Sequence, residues 1–463
     1  MQPRESLVRI FVLLLTIISF FTMCTSTTIE KPEAEKKIEV ELTPYESISF
    51  YMSVGDPLKA LESFKDAYSE NPESIETKIL YSSLLLTAGK LDEARKTLDG
   101  ILIQDPDNMN ARFNLSFLEG MAGNTDKEEE QLNIILNKEP ENAKALSSLG
   151  ELYLTSKKYD EAKEVFQKSI ALDEDNIVAR EGYGNLLLRD KSYEDSEKQF
   201  DHVIKTNPDY SFAYTDRSKA RSGLNDADGA ISDLTKAIEL NSEYYWNYVD
   251  RGKLLLFVDN KTGAFDDFNK AIEIDPDFFY AYVYRAGINE GRHDIEAAAS
   301  DYSKVIELRP DYYYAYKPLA LIEYRKGNYK EASELFKKTS ESIPEDPSSI
   351  LMSGIAKYAE GDKELGINII RTAMDTMPTD GYFRDIARMF TEPGYDAYLI
   401  NKLNKETKLP LKSRVLFYVA TYYKLQGMKR LANTYFLEVA DAKIYGMFET
   451  DLAEYELKDK NKE

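Results

Sequence analysis

The sequence predicts an all-α chain, a solenoid of about ten to twelve stacked helix-turn-helix units, and three observations carry that prediction. Pro72, Pro106, Pro140, Pro208, Pro276, Pro310, Pro344 and Pro378, eight of the 16 prolines, are separated by multiples of 34 residues. The same period places Ala at 60, 94, 162, 230, 264, 298 and 332, and a large apolar residue at Phe64, Leu98, Leu132, Phe166, Phe200, Leu234, Phe268, Tyr302, Phe336 and Ile370. Within each period the apolar residues recur at helical rather than strand spacing. A fixed period of this size marks a repeat array, and the 463 residues are too many for one ordinary compact domain of about 100–200 residues.

The elements follow in chain order. Arg4 and Arg9 precede the apolar run Ile10–Phe21, which has the form of a secretory signal and is short for a bilayer span of about 20 residues. Phe21-Thr22-Met23-Cys24 resembles the lipobox of bacterial lipoproteins, although Phe21 and Met23 depart from its pattern. The resemblance implies cleavage before Cys24, removal of residues 1–23 and acylation of the only cysteine. Ordinary signal cleavage after Ser26 is the alternative. Residues 24–40, with Glu30-Lys-Pro-Glu-Ala-Glu-Lys-Lys37, are expected to be a solvated tether.

One unit shows the physics of the rest. In residues 143–176, Leu146, Leu149 and Tyr153 stripe a first helix, Gly150 lets a second helix approach, and Tyr159, Ala162, Phe166 and Ile170 stripe that second helix. Gly55, Gly89, Gly123, Gly327 and Gly361 share the register of the turn between them. The proline that follows the second helix in sister units stops the hydrogen-bond ladder and resets the chain. A pair this small cannot bury its own apolar face, so neighbours supply the core.

These residues resemble the tetratricopeptide repeat family: a large residue, Leu, Gly and Tyr on the first helix, Ala and an aromatic on the second, then Pro. Ten units fit one register from 41 to 380, residues 381–412 read as a degenerate helical pair, 413–446 as a further unit with Ala420, Tyr423, Gly427, Ala432 and Phe436, and 447–463 as a capping helix with a polar tail. Glu128, Ser196 and Gly366 depart from the small-Ala position and suggest looser packing there. The resemblance implies a right-handed superhelix whose first helices line a concave groove.

Read at the groove position of four successive units, the sequence places Phe212, Trp246, Tyr280 and Tyr314 as an aromatic ladder, with Lys219, Lys253, Lys317 and Arg325 nearby. Such a face suits a carboxylate-bearing or anionic segment of a protein partner. The competing reading takes the rings and lysine stems as packing and surface cover. Tyr244, Phe278 and Tyr312 are expected to cover the turns between units, and Arg217, Arg251 and Arg285 to be structural. The carboxylate clamp of chaperone-binding relatives is not matched, because Glu181, Asp216 and Asp250 stand beside Asn185 where it needs Lys and Asn.

Composition sets the exclusions. A formal net charge of -22 disfavours general nucleic-acid binding. One Cys and two His, His202 and His293, leave no zinc-site spacing and no catalytic constellation. No phosphate loop or nucleophile elbow is found. The expectation is a non-enzymatic interaction scaffold without cofactor or metal, exported and membrane-anchored through Cys24 in a bacterial envelope. A small-ligand-binding or substrate-delivery protein beside a transporter is the alternative.

Overall fold

The computed structural model describes residues 43–68, 73–444 and 446–458. The expected signal segment 1–23, Cys24, the tether 24–40 and Pro72 lie outside the described residues. Every regular element among the described residues is helical: 25 α-helices and two short 3-10 turns. They form two compact units, one ending at Asn241 and one beginning at Ser242.

In the first unit six helix pairs succeed one another, from Pro44–Ser53 with Pro57–Tyr68 to Ser211–Gly223 with Ala227–Leu240. Three signals in the sequence make the pairs. Asn108, Asn142 and Asn176 cap the first helices by accepting from the amides of Ala111, Ala145 and Ala179 at 2.9, 2.9 and 3.0 Å, satisfying a donor that the first turn leaves open. A residue in the left-handed region then turns the chain between helices: Gly89 and Gly123, and at the same register Lys157, Lys191 and Asn225. Phe64, Leu98, Leu132, Phe166, Phe200 and Leu234 are fully buried where the helices meet. The Phe166 ring lies between Gly150 and Gly182, and a methyl on either glycine would overlap it.

The departures from the small-Ala position are packed tightly, which corrects the expectation of loosening. Ser196 is fully buried and its Oγ donates to the Gly184 carbonyl at 2.8 Å. Glu128 lays its carboxyl over Gly120, where a methyl would sit 2.8 Å from Oε2, and burial pushes this carboxyl up to about 7. In the second unit, a methyl on Gly366 would meet the Gly354 carbonyl at 2.6 Å, so there the helices approach backbone to backbone.

The second unit holds the pairs Tyr245–Phe257 with Lys261–Ile274, Phe279–Gly291 with Ile295–Leu308, Tyr316–Arg325 with Tyr329–Ser342, and Pro347–Glu360 with Lys363–Ala373. Residues 381–412 contain two shorter helices, Tyr382–Thr391 and Tyr395–Leu403, turned at Gly394 (φ 80°). Leu409–Leu425 with Lys429–Asp441 follow, then the last helix, Phe448–Lys458. That last helix does more than cover the final pair: it packs on Leu409–Leu425 and also returns to Tyr316–Arg325.

A buried ion-pair series runs through both units at the repeat period. Arg217, Arg251 and Arg285 each hold a second-helix carboxylate with two nitrogens, Asp233, Asp267 and Asp301, at 2.6–3.0 Å. Each guanidinium also lies near a ring of its own helix, Tyr214, Tyr248 or Tyr282. Its hydrogen bonds to the Asp267 carboxylate hold Arg251 above its ordinary range. These arginines tie the helices of a unit together, as their sequence position predicts.

Candidate functional site

The site begins with a substitution of one residue type for another at a helix start. The register that holds the capping Asn108, Asn142 and Asn176 holds Tyr210, Tyr244, Phe278 and Tyr312 later in the chain, and none of these makes a side-chain cap. A lost cap costs about 1 kcal/mol, so the chain gives up local helix stability at successive starts to place a ring.

In the second unit those rings join the ladder into one strip. Trp246 meets Phe278 at 4.7 Å between centroids, and Phe278 meets Tyr280 at 5.8 Å. Phe279 lies 4.0 Å from Tyr280 and 5.0 Å from Tyr312. Tyr312 meets Tyr314 at 5.6 Å, with Tyr313 4.2 Å beyond. Tyr244 and Tyr245 extend the other end. The expected turn-covering residues Phe278 and Tyr312 are therefore the bridges between the rungs. Phe278 and Phe279 are buried, whereas Tyr280 is 42% and Tyr314 60% exposed. The strip thus has a packed base and an open edge. Burial, with Tyr280 next to it, raises the Tyr312 hydroxyl, which stays protonated at neutral pH.

Pro318 opens the strip at its far end. A proline lacks the amide hydrogen, and its ring crowds the carbonyl four residues back, here that of Tyr314. Tyr313–Ala315 accordingly form a 3-10 turn and the α-helix starts at Tyr316, leaving Tyr313 and Tyr314 hydroxyl to hydroxyl at 2.9 Å.

Phe212, in the first unit, is corrected: it is 3% exposed and packs 5.8 Å from Tyr210, whose hydroxyl donates to Glu181 at 2.8 Å. The cations also differ from expectation, because each is matched with a carboxylate or turned inward. Lys219 holds Asp216 at 2.8 Å and Lys253 holds Asp250 at 3.0 Å, each three residues back. Lys317 holds Asp346 at 2.6 Å and donates to Ser348 at 3.1 Å. The Arg325 carbonyl accepts from Tyr455 at 2.7 Å, and its Nε is buried. Sequence reading missed Arg309, whose guanidinium lies 5.1 Å from the Phe279 ring and is paired with Asp311.

Other features of the described residues lie outside the strip. A cleft of about 690 Å³ is lined by Gly327, Asn328, Tyr329, Lys330, Glu331 and neighbours and holds no strip residue. His202 hydrogen-bonds Asp175 at 2.8 Å, and His293 occupies a left-handed turn position. No helix among the described residues is long and apolar enough to cross a membrane.

Two family models, both described as tetratricopeptide repeat, match residues 51–116 and 153–215, and residues 122–177 and 290–347. No curated protein matches. Among solved structures, a tetratricopeptide repeat protein from Parabacteroides merdae is 25% identical, with 52% of this chain and 96% of that chain covered and a TM-score of 0.38. PilF of Pseudomonas aeruginosa is 19% identical over 44% of this chain and 92% of its own, TM-score 0.41. MamA of Desulfovibrio magneticus RS-1 is 22% identical over 37% and 96%, TM-score 0.34. With its 34-residue helical pairs, the buried aromatic or large aliphatic residue on each second helix and these two family matches, the chain belongs to the tetratricopeptide repeat proteins.

Proposed function

We propose that this protein is a non-enzymatic scaffold of a bacterial envelope, tethered through an acylated Cys24, that holds a peptide or protein segment on the aromatic strip from Tyr244 to Tyr314. The tetratricopeptide array supports the coarser part, a protein-interaction module. The observation that carries the finer part is the exchange of capping asparagines for rings at Tyr244, Phe278 and Tyr312. A sequence that breaks a local rule repeatedly, and seats the open rings of Tyr280 and Tyr314 against the result, is serving a site rather than a core. Aromatic anchors of this kind dominate interface energies, at about 2 kcal/mol or more each when a partner buries them. The exposed pair Lys253–Asp250 is worth at most about 1 kcal/mol, so a partner carboxylate can replace Asp250 at little cost.

The test is in-cell crosslinking and affinity capture with the wild type and with Trp246→Ala/Tyr280→Ala/Tyr314→Ala, after both are shown to fold alike. Selective loss of one protein from the variant supports the strip as the recognition site. An unchanged set of captured proteins refutes it. Palmitate labelling of wild type and Cys24→Ser tests the anchor, and equal labelling of both refutes it.

A further inference from the structure

The last helix, Phe448–Lys458, sits where an ordinary cap would not. Its Tyr455 hydroxyl donates to the Arg325 carbonyl, 130 residues earlier in the chain, and Lys317 Nζ lies 4.8 Å above the Phe448 ring. Lys424 holds both oxygens of Glu456 at 2.6 and 2.7 Å. Leu452 and Ala453 are buried in the core formed with Phe417, Tyr418 and Tyr324. Lys317 and Arg325 are two of the groove positions read from the sequence, so the chain's own end lies across residues expected to meet a partner.

The seat is basic and its occupant acidic. Lys317, Arg325, Arg414 and Lys424 come from the two long helices beneath, while the last helix carries Glu449, Asp451, Glu454 and Glu456 on eleven residues. The fit is incomplete. Six buried side-chain polar atoms among the described residues lack a hydrogen-bond partner, and five lie on this helix or on the two beneath it: Arg325 Nε, Arg414 Nε, Tyr418 OH, Glu449 Oε1 and Thr450 Oγ1. Glu449 is 1% exposed, and Arg414 Nε lies 3.2 Å from its Oε1, near enough for attraction but misaligned for a hydrogen bond. Burial lifts this carboxyl above its usual range against the pull of its own backbone amide, Arg414 and Lys317. A buried polar group left without a hydrogen bond weakens the docking that buries it. A helix of eleven residues is also marginal on its own. It is joined to the preceding helix through Lys443 and Gly446, both in the left-handed region.

We propose that the basic seat on helices 316–325 and 409–425 is a recognition site for an acidic amphipathic helix, filled in cis by residues 448–458 and vacated when a partner helix of the same character replaces them. The proposal rests on the scaffold reading in treating the array as an interaction module, and not on the aromatic strip.

The experiment uses the full chain and a fluorescent peptide with the sequence of residues 447–458, beside a scrambled peptide of the same composition. Anisotropy is read for the wild type, for Leu452→Asp, which undocks the cis helix, and for Tyr455→Phe, which removes only the hydroxyl that reaches Arg325. The expected result is binding at least tenfold tighter to Leu452→Asp than to wild type, a severalfold gain for Tyr455→Phe, and none for the scramble. Should Leu452→Asp fail to fold, Tyr455→Phe decides. Hydrogen exchange of the wild type should show amides 449–457 opening well before those of 409–425. The proposal is overturned if the peptide binds no folded variant, if the scramble binds equally, or if amides 449–457 exchange only with global unfolding. Partner capture by the strip variant is read separately. Lost capture with intact peptide binding sustains both proposals, and absent peptide binding with strip-dependent capture removes only this one.

Discussion

At the scale of single residues, the 34-residue register explains positions that look anomalous alone. Lys157 and Lys191 have φ of 61° and 60° at the turn where Gly89 and Gly123 stand in earlier pairs. An L-residue there costs about 1–2 kcal/mol, against about 0.5–1 kcal/mol for the extra freedom of an unfolded glycine. Lys157→Gly and Lys191→Gly should therefore each stabilise the protein by about 0.5–1 kcal/mol, measured by urea denaturation; a loss of stability would mean that the lysine side chains contribute more than their backbones cost. Glu128 gives the pH counterpart. Its carboxyl is raised to about 7 by burial, so the folded chain binds this proton more tightly than the unfolded chain. Its contribution is full below the unfolded value and is lost as pH rises through about 7. Glu128→Gln should remove this dependence and raise stability at pH 8 by about 1 kcal/mol, after allowing for solvent screening. Melting curves of both proteins at pH 5 and pH 8 check it, and an equal difference at the two pH values would refute it.

At the scale of elements, the helix starts show how much was legible in the sequence. The pairs, their turns and their large buried second-helix residues follow from period and spacing alone, because each is a local rule repeated. Phe212 and Tyr314 stand at the same repeat position, yet one is buried and the other open. Tyr280, at the same position, is open without a following proline, so the ring's neighbours rather than its register decide; Pro318 adds the 3-10 turn at Tyr314, an effect visible in the sequence only once the helix start is known. The bridging role of Phe278 and Tyr312 was legible as the break in the run Asn108, Asn142, Asn176. Tyr312→Asn tests it: the restored cap should offset much of the lost ring packing, keeping the stability change within about 1 kcal/mol. Partner capture should still fall, because the link from Phe279 to Tyr314 is broken. Undiminished capture would show that strip continuity is irrelevant.

At the scale of the whole molecule, the pairs, the returning last helix apart, pack on their neighbours in the chain, so damage should stay local. Arg251→Met leaves Asp267 buried without its guanidinium and should cost about 3 kcal/mol, most of it recovered in Arg251→Met/Asp267→Leu. Hydrogen exchange should quicken in residues 245–274 and in the adjoining pair, while 109–172 is unchanged; uniform quickening would mean one cooperative block instead. The return of the last helix to Arg325 was not legible, since a contact across 130 residues leaves no periodic trace and acidic helices are common on this chain. The strip has a further consequence. Trp246 is the only tryptophan in the chain, and it stacks on Tyr245 and meets Phe278 edge-on. The protein's intrinsic emission at long ultraviolet wavelengths therefore originates at the strip alone. Any segment that settles there announces itself as a change in colour and polarisation of native light, without a label.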